Sequence, residues 1–205
     1  MDASAHTNEE SGFTTYSWYV LALLSLVSLS NHIDRQILNI LIEPIKEAFG
    51  ASDLMMGLLA GPAFALFYAT AGIPIARLAD THSRRSIIAV SAAIWSAMTV
   101  FSGAARSFGM LAIFRVGVGL GEAGCSPPSH SLISDYFSVE RRGRALGFYA
   151  MAVQAGAAFG WLLGGWLFYL LGWRWAFVAA GVPGLLFAIL VRTTVEEPVR
   201  GGAGK

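Results

Sequence analysis

The sequence predicts an all-α membrane protein of six transmembrane helices, and three observations carry that class. Of its 205 residues, 55% are hydrophobic and only 13% charged, with a mean hydropathy of +0.58. Soluble domains carry about 25% charged residues. The second observation is uninterrupted apolar length. No charged residue occurs in Leu54–Ala76, Ile87–Ala105, Ala145–Trp173 or Trp175–Val191, and a spanning helix needs roughly 20 apolar residues. The third is the lack of any polar stripe at the 3.6-residue period that a soluble bundle would show in these stretches.

Taken in order, residues 1–15 read as a short disordered tail. They hold Asp2, Glu9 and Glu10 but no lysine or arginine, so they are not the n-region of a signal peptide. Span one runs from about Trp18 to Ile42 and carries Asp34 and Arg35. Spans two and three are Leu54–Ala76 and Ile87–Ala105. Span four, about Met110 to Ser134, carries Arg115 and Glu122. Spans five and six are Ala145–Trp173 and Trp175–Val191. The bundle is thus expected over 16–192, as two three-helix repeats, with a cytoplasmic linker or tail over 193–205.

Basic residues set the orientation. Arg77, Arg84, Arg85, Arg141, Arg142, Arg144, Arg192, Arg200 and Lys205 fall on one side, against Lys46, Arg106 and Arg174 on the other. Both termini are expected in the cytoplasm and the bundle in the cell (inner) membrane. A net charge of +1 leaves no basic field for nucleic acid. Cys125 is the single cysteine, and no Cys/His spacing suggests a metal. No GxxxxGK[ST], HExxH or GxSxG is present, so neither ATP hydrolysis nor an enzyme activity is expected, and no cofactor is implied.

A charge at mid-membrane costs roughly 2.5–3.5 kcal/mol on insertion scales, so it needs a partner or a wet cavity. Asp34 and Arg35 on span one, with Arg115 and Glu122 on span four, lie on corresponding helices of the two repeats. Transporters built from repeats place their sites at the midplane of the repeat interface. These four residues are the candidate substrate and proton cavity; the alternative is that they only neutralise one another. Arg115 lies toward the outer end of its span. His32, two residues from Asp34, is either a packed histidine or a member of a proton relay. Asn31, Arg35 and Asn39 recur every four residues, so this stripe of span one faces something other than lipid.

The loop Ala76-Arg77-Leu78-Ala79-Asp80-Thr81-His82-Ser83-Arg84-Arg85 resembles the signature loop of the major facilitator superfamily, G-x-L-A-D-R-x-G-R-R, with Ala76, Thr81 and Ser83 departing from it. The resemblance implies a half of the major-facilitator fold and a cytoplasmic gating latch of Asp80, Arg84, Arg85 and Asp135. Arg115, Gly119, Gly121 and Gly124 resemble the family's span-four motif. Gly147, Gly156, Gly160, Gly164 and Gly165 resemble its span-five antiporter motif, with Trp161 in the place of the proline. Without that proline, close helix packing is the better reading of these glycines. Asn31-His32-Ile33-Asp34-Arg35, Val118-Gly119-Leu120-Gly121-Glu122-Ala123, Ser134-Asp135-Tyr136-Phe137 and Glu197-Pro198-Val199-Arg200-Gly201 together resemble Spinster-like transporters. The resemblance implies secondary transport of a small organic solute, an amphipathic organic anion by analogy, by alternating access.

Family members have two six-helix bundles, so a second bundle is an expected partner beside the substrate and the lipid bilayer. The chain reads as a fragment, a truncated product or a half-transporter. A non-transporting scaffold is the alternative function.

Overall fold

In the computed structural model, residues 3–200 are described, with side chains from Thr15 onward. Helix α1 covers Ala3–Ile40, and α2, Ile42–Phe49, follows it across Leu41. The chain reverses at Gly50, whose φ of 62° lies in the left-handed region that glycine alone enters without steric cost. Span two is assembled from α3 (Asp53–Leu58), a π turn at Leu59–Ala63 and α4 (Phe64–Thr81). Pro62 lies inside the π turn; it has no N–H to give, so the ladder widens there. Helix α5 (Arg84–Gly103) forms span three, with Ser83 accepting the Ser86 N–H at 3.3 Å as its cap.

Span four is α6 (Phe108–Glu122) followed by α7 (Ser126–Tyr136). Residues 123–125 between them make tighter bonds, Gly124 N–H to Gly121 O and Cys125 N–H to Glu122 O. Pro127 and Pro128 begin the new helix, where their missing N–H groups cost nothing. Helix α8, Val139–Thr194, is broken at Gly172 (φ 76°, ψ 168°) into arms 139–171 and 173–194, which are spans five and six. Asp53–Thr81, Arg84–Gly103, Phe108–Tyr136 and Val139–Thr194 are long and apolar enough to cross a membrane. With α1 and the two arms of α8, this is the expected six-helix bundle of an integral, multi-pass membrane protein.

Two seams hold it. Span one lies on span five through Gly156, Gly160 and Gly164, a four-residue repeat on one helix face. A Cβ at Gly156 would come within 2.5 Å of the Leu29 carbonyl oxygen, and one at Gly160 within 2.7 Å of Gln36 Cβ. Span three lies on span six in the same way, with Gly181 against the Ser96 backbone and Gly184 against Trp95. Apolar side chains fill the bundle on either side of these seams. One cluster gathers Leu24, Ile88, Trp95, Val118 and Leu132; the other gathers Ile37, Leu41, Met56, Leu111 and Phe177.

Three expectations change. Gly147 and Gly165 are not packing positions, since an added Cβ would meet nothing within 4 Å; each sits off the face that carries 156, 160 and 164. Helix α1 begins at Ala3, ahead of the apolar run, where a disordered tail over 1–15 was expected. No proline interrupts residues 3–15; residues 1 and 2 lie outside the described range. The segment 195–200 is no free linker, because it folds back onto the bundle, as described below. Its continuation over 201–205 lies outside the described residues.

Spans two and five leave large apolar side chains bare, among them Leu54, Leu66 and Ile73 on one and Leu162, Trp166 and Tyr169 on the other.

Candidate functional site

Adjacent residues on a helix point about 100° apart at 3.6 residues per turn, so Asp34 and Arg35 reach different neighbours. Asp34 turns inward and is fully buried. Its Oδ1 accepts from Arg115 Nη1 of α6 at 3.3 Å, and its Oδ2 accepts from the Thr99 hydroxyl of α5. Arg35 turns to the side and donates from Nε to Glu122 Oε2 of α6 at 2.7 Å. The two helices therefore exchange partners: each contributes one acid and one arginine, and each acid is held by the arginine of the other.

The two pairs differ in exposure. Asp34 and Arg115 are both sealed, and the Arg115 guanidinium stands 5.9 Å from the centroid of the Phe177 ring. It is a buried core ion. Arg35 keeps 32% of its side chain exposed while Glu122 has none. Its guanidinium lies over the rings of Phe64 and Tyr68, 4.8 and 4.9 Å from their centroids. That places it in the wall of a cavity of about 380 Å³, with Gln36, Asn39, Tyr68 and Arg115 as its other polar lining. Glu122 Oε1 and Arg115 Nε are buried with no hydrogen-bond partner among the described residues.

Desolvating two ions costs several kcal/mol each, and their attraction often only offsets that cost. Two such pairs in one membrane bundle are therefore poor candidates for mere stabilisers. A cation stacked on two rings and open to a cavity is suited to receive an anionic head group, with the rings accepting apolar material beside it.

His32 stands apart from this group. Its Nδ1 is bonded to the Ser28 carbonyl of its own helix at 2.8 Å, and its Cβ faces Gly156 in the seam with span five. Asn31 is buried, Asn39 bonds Gln36, and only Asn39 of the two asparagines lines the cavity. Thr99, Phe64 and Tyr68 were not legible as site residues. A threonine or an aromatic in an apolar span carries no signal until the helix rotation is known.

A second polar cluster closes the basic end of the bundle. Arg84, at the start of α5, is only 2% exposed. It pairs with Asp135 of α7, bonds Ser131 Oγ at 2.8 Å, and bonds Glu197 Oε1 through Nε at 2.8 Å. The expected pairing with Asp80 is not made. Asp80 ends α4 with its side chain exposed, and its backbone oxygen, not its carboxylate, is engaged. Arg84 starts the next helix and points inward between spans three and four, so Asp135 is the acid it meets.

The segment 195–200 completes this cluster, and its role was missed in the sequence. Glu197 also accepts from Ser83 Oγ and the Arg85 N–H, each at 2.9 Å. Arg85 Nη1 donates to the Val195 carbonyl at 2.9 Å. Arg200 donates to the carbonyls of Ala79 and His82 at 2.8 Å and to that of Asp80, capping the C-terminus of α4. The phenols of Tyr16 and Tyr136 bind the backbone at Thr194 and Glu196. This strap ties spans one to four at one end. Burial pushes the Glu197 carboxyl up, but the hydrogen bonds from Arg84, the Arg85 N–H and Ser83 outweigh it and hold the group below its ordinary value.

The model of the Major Facilitator Superfamily matches residues 24–205. The chain belongs to the Major Facilitator Superfamily. It is 36% identical over 179 residues to an MFS-type efflux pump of Mycolicibacterium smegmatis, covering 87% of this chain and 42% of that protein. It is 29% identical to protein spinster of Drosophila melanogaster, covering 90% of this chain and 30% of the other. A crystal structure of a bacterial homolog to the human lysosomal transporter Spinster, inward-facing and unoccupied, superposes with a TM-score of 0.85 at 43% identity. The match covers 91% of this chain and 44% of that one. The chain is a Spinster-like member of the superfamily, and it spans less than half the length of each of these relatives.

Proposed function

We propose that this bundle is the amino-terminal half of a secondary transporter that moves a small organic solute, an amphipathic organic anion, by alternating access. The observation that carries the reading is Arg35: a cation bonded to a fully buried acid, Glu122, yet open to a cavity and backed by two rings. An arriving anion competes with Glu122 for Arg35. Protonating Glu122 removes that competitor and frees the guanidinium, so proton binding and anion binding strengthen each other by reciprocal linkage. Asp34 acts one step removed by holding Arg115, the second cation of the cavity lining.

Both termini lie in the cytoplasm and the bundle in the cell (inner) membrane, by the distribution of basic residues between its two ends. A second six-helix bundle covers the apolar faces of spans two and five and closes the cavity over Arg35. The exposed Asp80 carboxylate sits on the rim that this bundle meets, and the Arg84 cluster keeps the basic ends of spans two to four moving as one body. The test is binding of an organic anion to the chain joined to a carboxy-terminal bundle. Binding that Arg35→Ala abolishes supports the proposal, and binding indifferent to Arg35 removes it.

A further inference from the structure

Away from the charged cavity, a groove of about 520 Å³ runs between span three and span six. Its floor is made of small side chains that let the surface sink between the helices: Ala89 and Ala93 of α5 and Ala188 of α8, with Leu185 at its far end. Val90 and Ile189 stand at its rim, 57% and 61% exposed. Along α8 the lining runs from Leu185 to Thr193, about 12 Å of helix at 1.5 Å per residue.

The groove is apolar along its length but not at its end. Arg192 and Thr193 close it at the basic end of the bundle. Arg192 is exposed, and no acidic side chain pairs with it among the described residues. The Thr193 hydroxyl is spent on the Ile189 carbonyl of its own helix at 2.8 Å, so the arginine is the group left to meet a ligand. Arg85 lies one turn beyond Ala89 on the same face of α5. Its Nη1 holds Val195, while its Nε is buried without a partner among the described residues. Arg192 is thus the cation in the lining of the slot, and Arg85 links the start of α5 to the strap at Val195.

We infer that this groove is a binding site for an anionic phospholipid, with one acyl chain between Ala89, Ala93 and Ala188 and the phosphate at Arg192. Charge complementarity selects the occupant. A zwitterionic lipid fills the same slot but gains little from an unpaired guanidinium, and basic pockets between spanning helices favour anionic head groups. The strap at Val195 connects this site to the Arg84 cluster through Arg85, so an occupied site steadies the end of the bundle that carries the latch. The site does not depend on the transport reading, nor on which leaflet the basic end faces.

Native mass spectrometry of the purified chain, released from micelles doped with phosphatidylglycerol or with phosphatidylcholine of the same acyl chains, tests it. About fivefold more phosphatidylglycerol adduct is expected at equal lipid. Arg192→Ala should bring the two lipids to parity and Arg192→Lys should keep most of the preference. Ala93→Phe should lower both adducts by filling the slot, and Arg106→Ala, at the opposite end, should change nothing. Arg192 is exposed, so its variants fold even if Ala93→Phe does not. A preference that survives Arg192→Ala, or no preference in the parent, overturns the site. Loss of the preference on adding glycerol 3-phosphate also overturns it, since a head group without chains would then suffice.

Discussion

Arg35 of α1 holds Glu122 of α6 at 2.7 Å, while the residue beside it, Asp34, is held in turn by Arg115 of α6. The exchange makes the pairs unequal. Each pair joins span one to span four, yet only one of the four ions in the two pairs has appreciable exposure. This inequality separates residues that hold the bundle together from the residue that meets solute.

Arg115→Gln leaves Asp34 buried without its cation. Breaking a buried pair from one side costs about 3–5 kcal/mol, so this variant should melt well below the parent in detergent. The double variant Asp34→Asn with Arg115→Gln should recover part of the loss. Arg35→Ala, at a partly exposed site, should melt closer to the parent while losing anion binding.

Small residues on span five give a prediction that distinguishes neighbours in sequence. Gly156→Ala and Gly160→Ala place a Cβ against the backbone or stem of span one, and overpacking of this kind costs about 1–3 kcal/mol. Gly147→Ala and Gly165→Ala meet nothing and should stabilise by about 0.5–1 kcal/mol, as alanine does over glycine within a helix. Thermal melts of the four single variants decide it.

At the basic end, Asp135→Asn weakens a charged hydrogen bond to a buried arginine and should cost about 1.5–3 kcal/mol. Asp80→Asn, an exposed group, should stay within about 0.5 kcal/mol of the parent. Equal losses from both would restore Asp80 to the intrabundle latch.

Glu197 gives the strap a pH dependence whose sign is fixed by its lowered value in the fold. A carboxyl depressed on folding adds stability that is present above its ordinary value of 4.5 and is lost as pH falls through the lower folded value. Amide exchange over 195–200 should therefore be slow at neutral pH, after correction for intrinsic rates, and lose protection below about pH 4.5. Glu197→Gln should exchange faster than the parent at neutral pH and converge with it at low pH, where the parent's carboxyl is itself neutral.

The spans were legible because charge-free length is a direct consequence of the bilayer, and the break at Gly172 fell where Trp173 and Trp175 bracket Arg174. The four intramembrane charges were legible for the same reason: each is an exception in an apolar background. Their crossed pairing was not, because helix rotation decides it and sequence spacing does not. Thr99, which donates to Asp34, and Phe64 and Tyr68 under Arg35 carry no exceptional chemistry of their own. Of the latch read from the motif, Arg84 with Asp135 is made, whereas Asp80, nearer in sequence, stays outside it because Arg84 points inward between spans three and four. Glu197 and Arg200 were seen as part of a motif but not as a strap, since their partners lie more than a hundred residues away.

The central claim is that Glu122 and an incoming anion compete for Arg35. It is tested most directly by measuring binding of a fluorescent lysophosphatidate against pH, using the chain joined to a carboxy-terminal bundle. The expected result is affinity that rises as pH falls in the parent, is high and flat with pH in Glu122→Gln, and is lost in Arg35→Ala. A pH profile unchanged by Glu122→Gln, together with binding that survives Arg35→Ala, would contradict the account and leave the crossed charges as a structural brace.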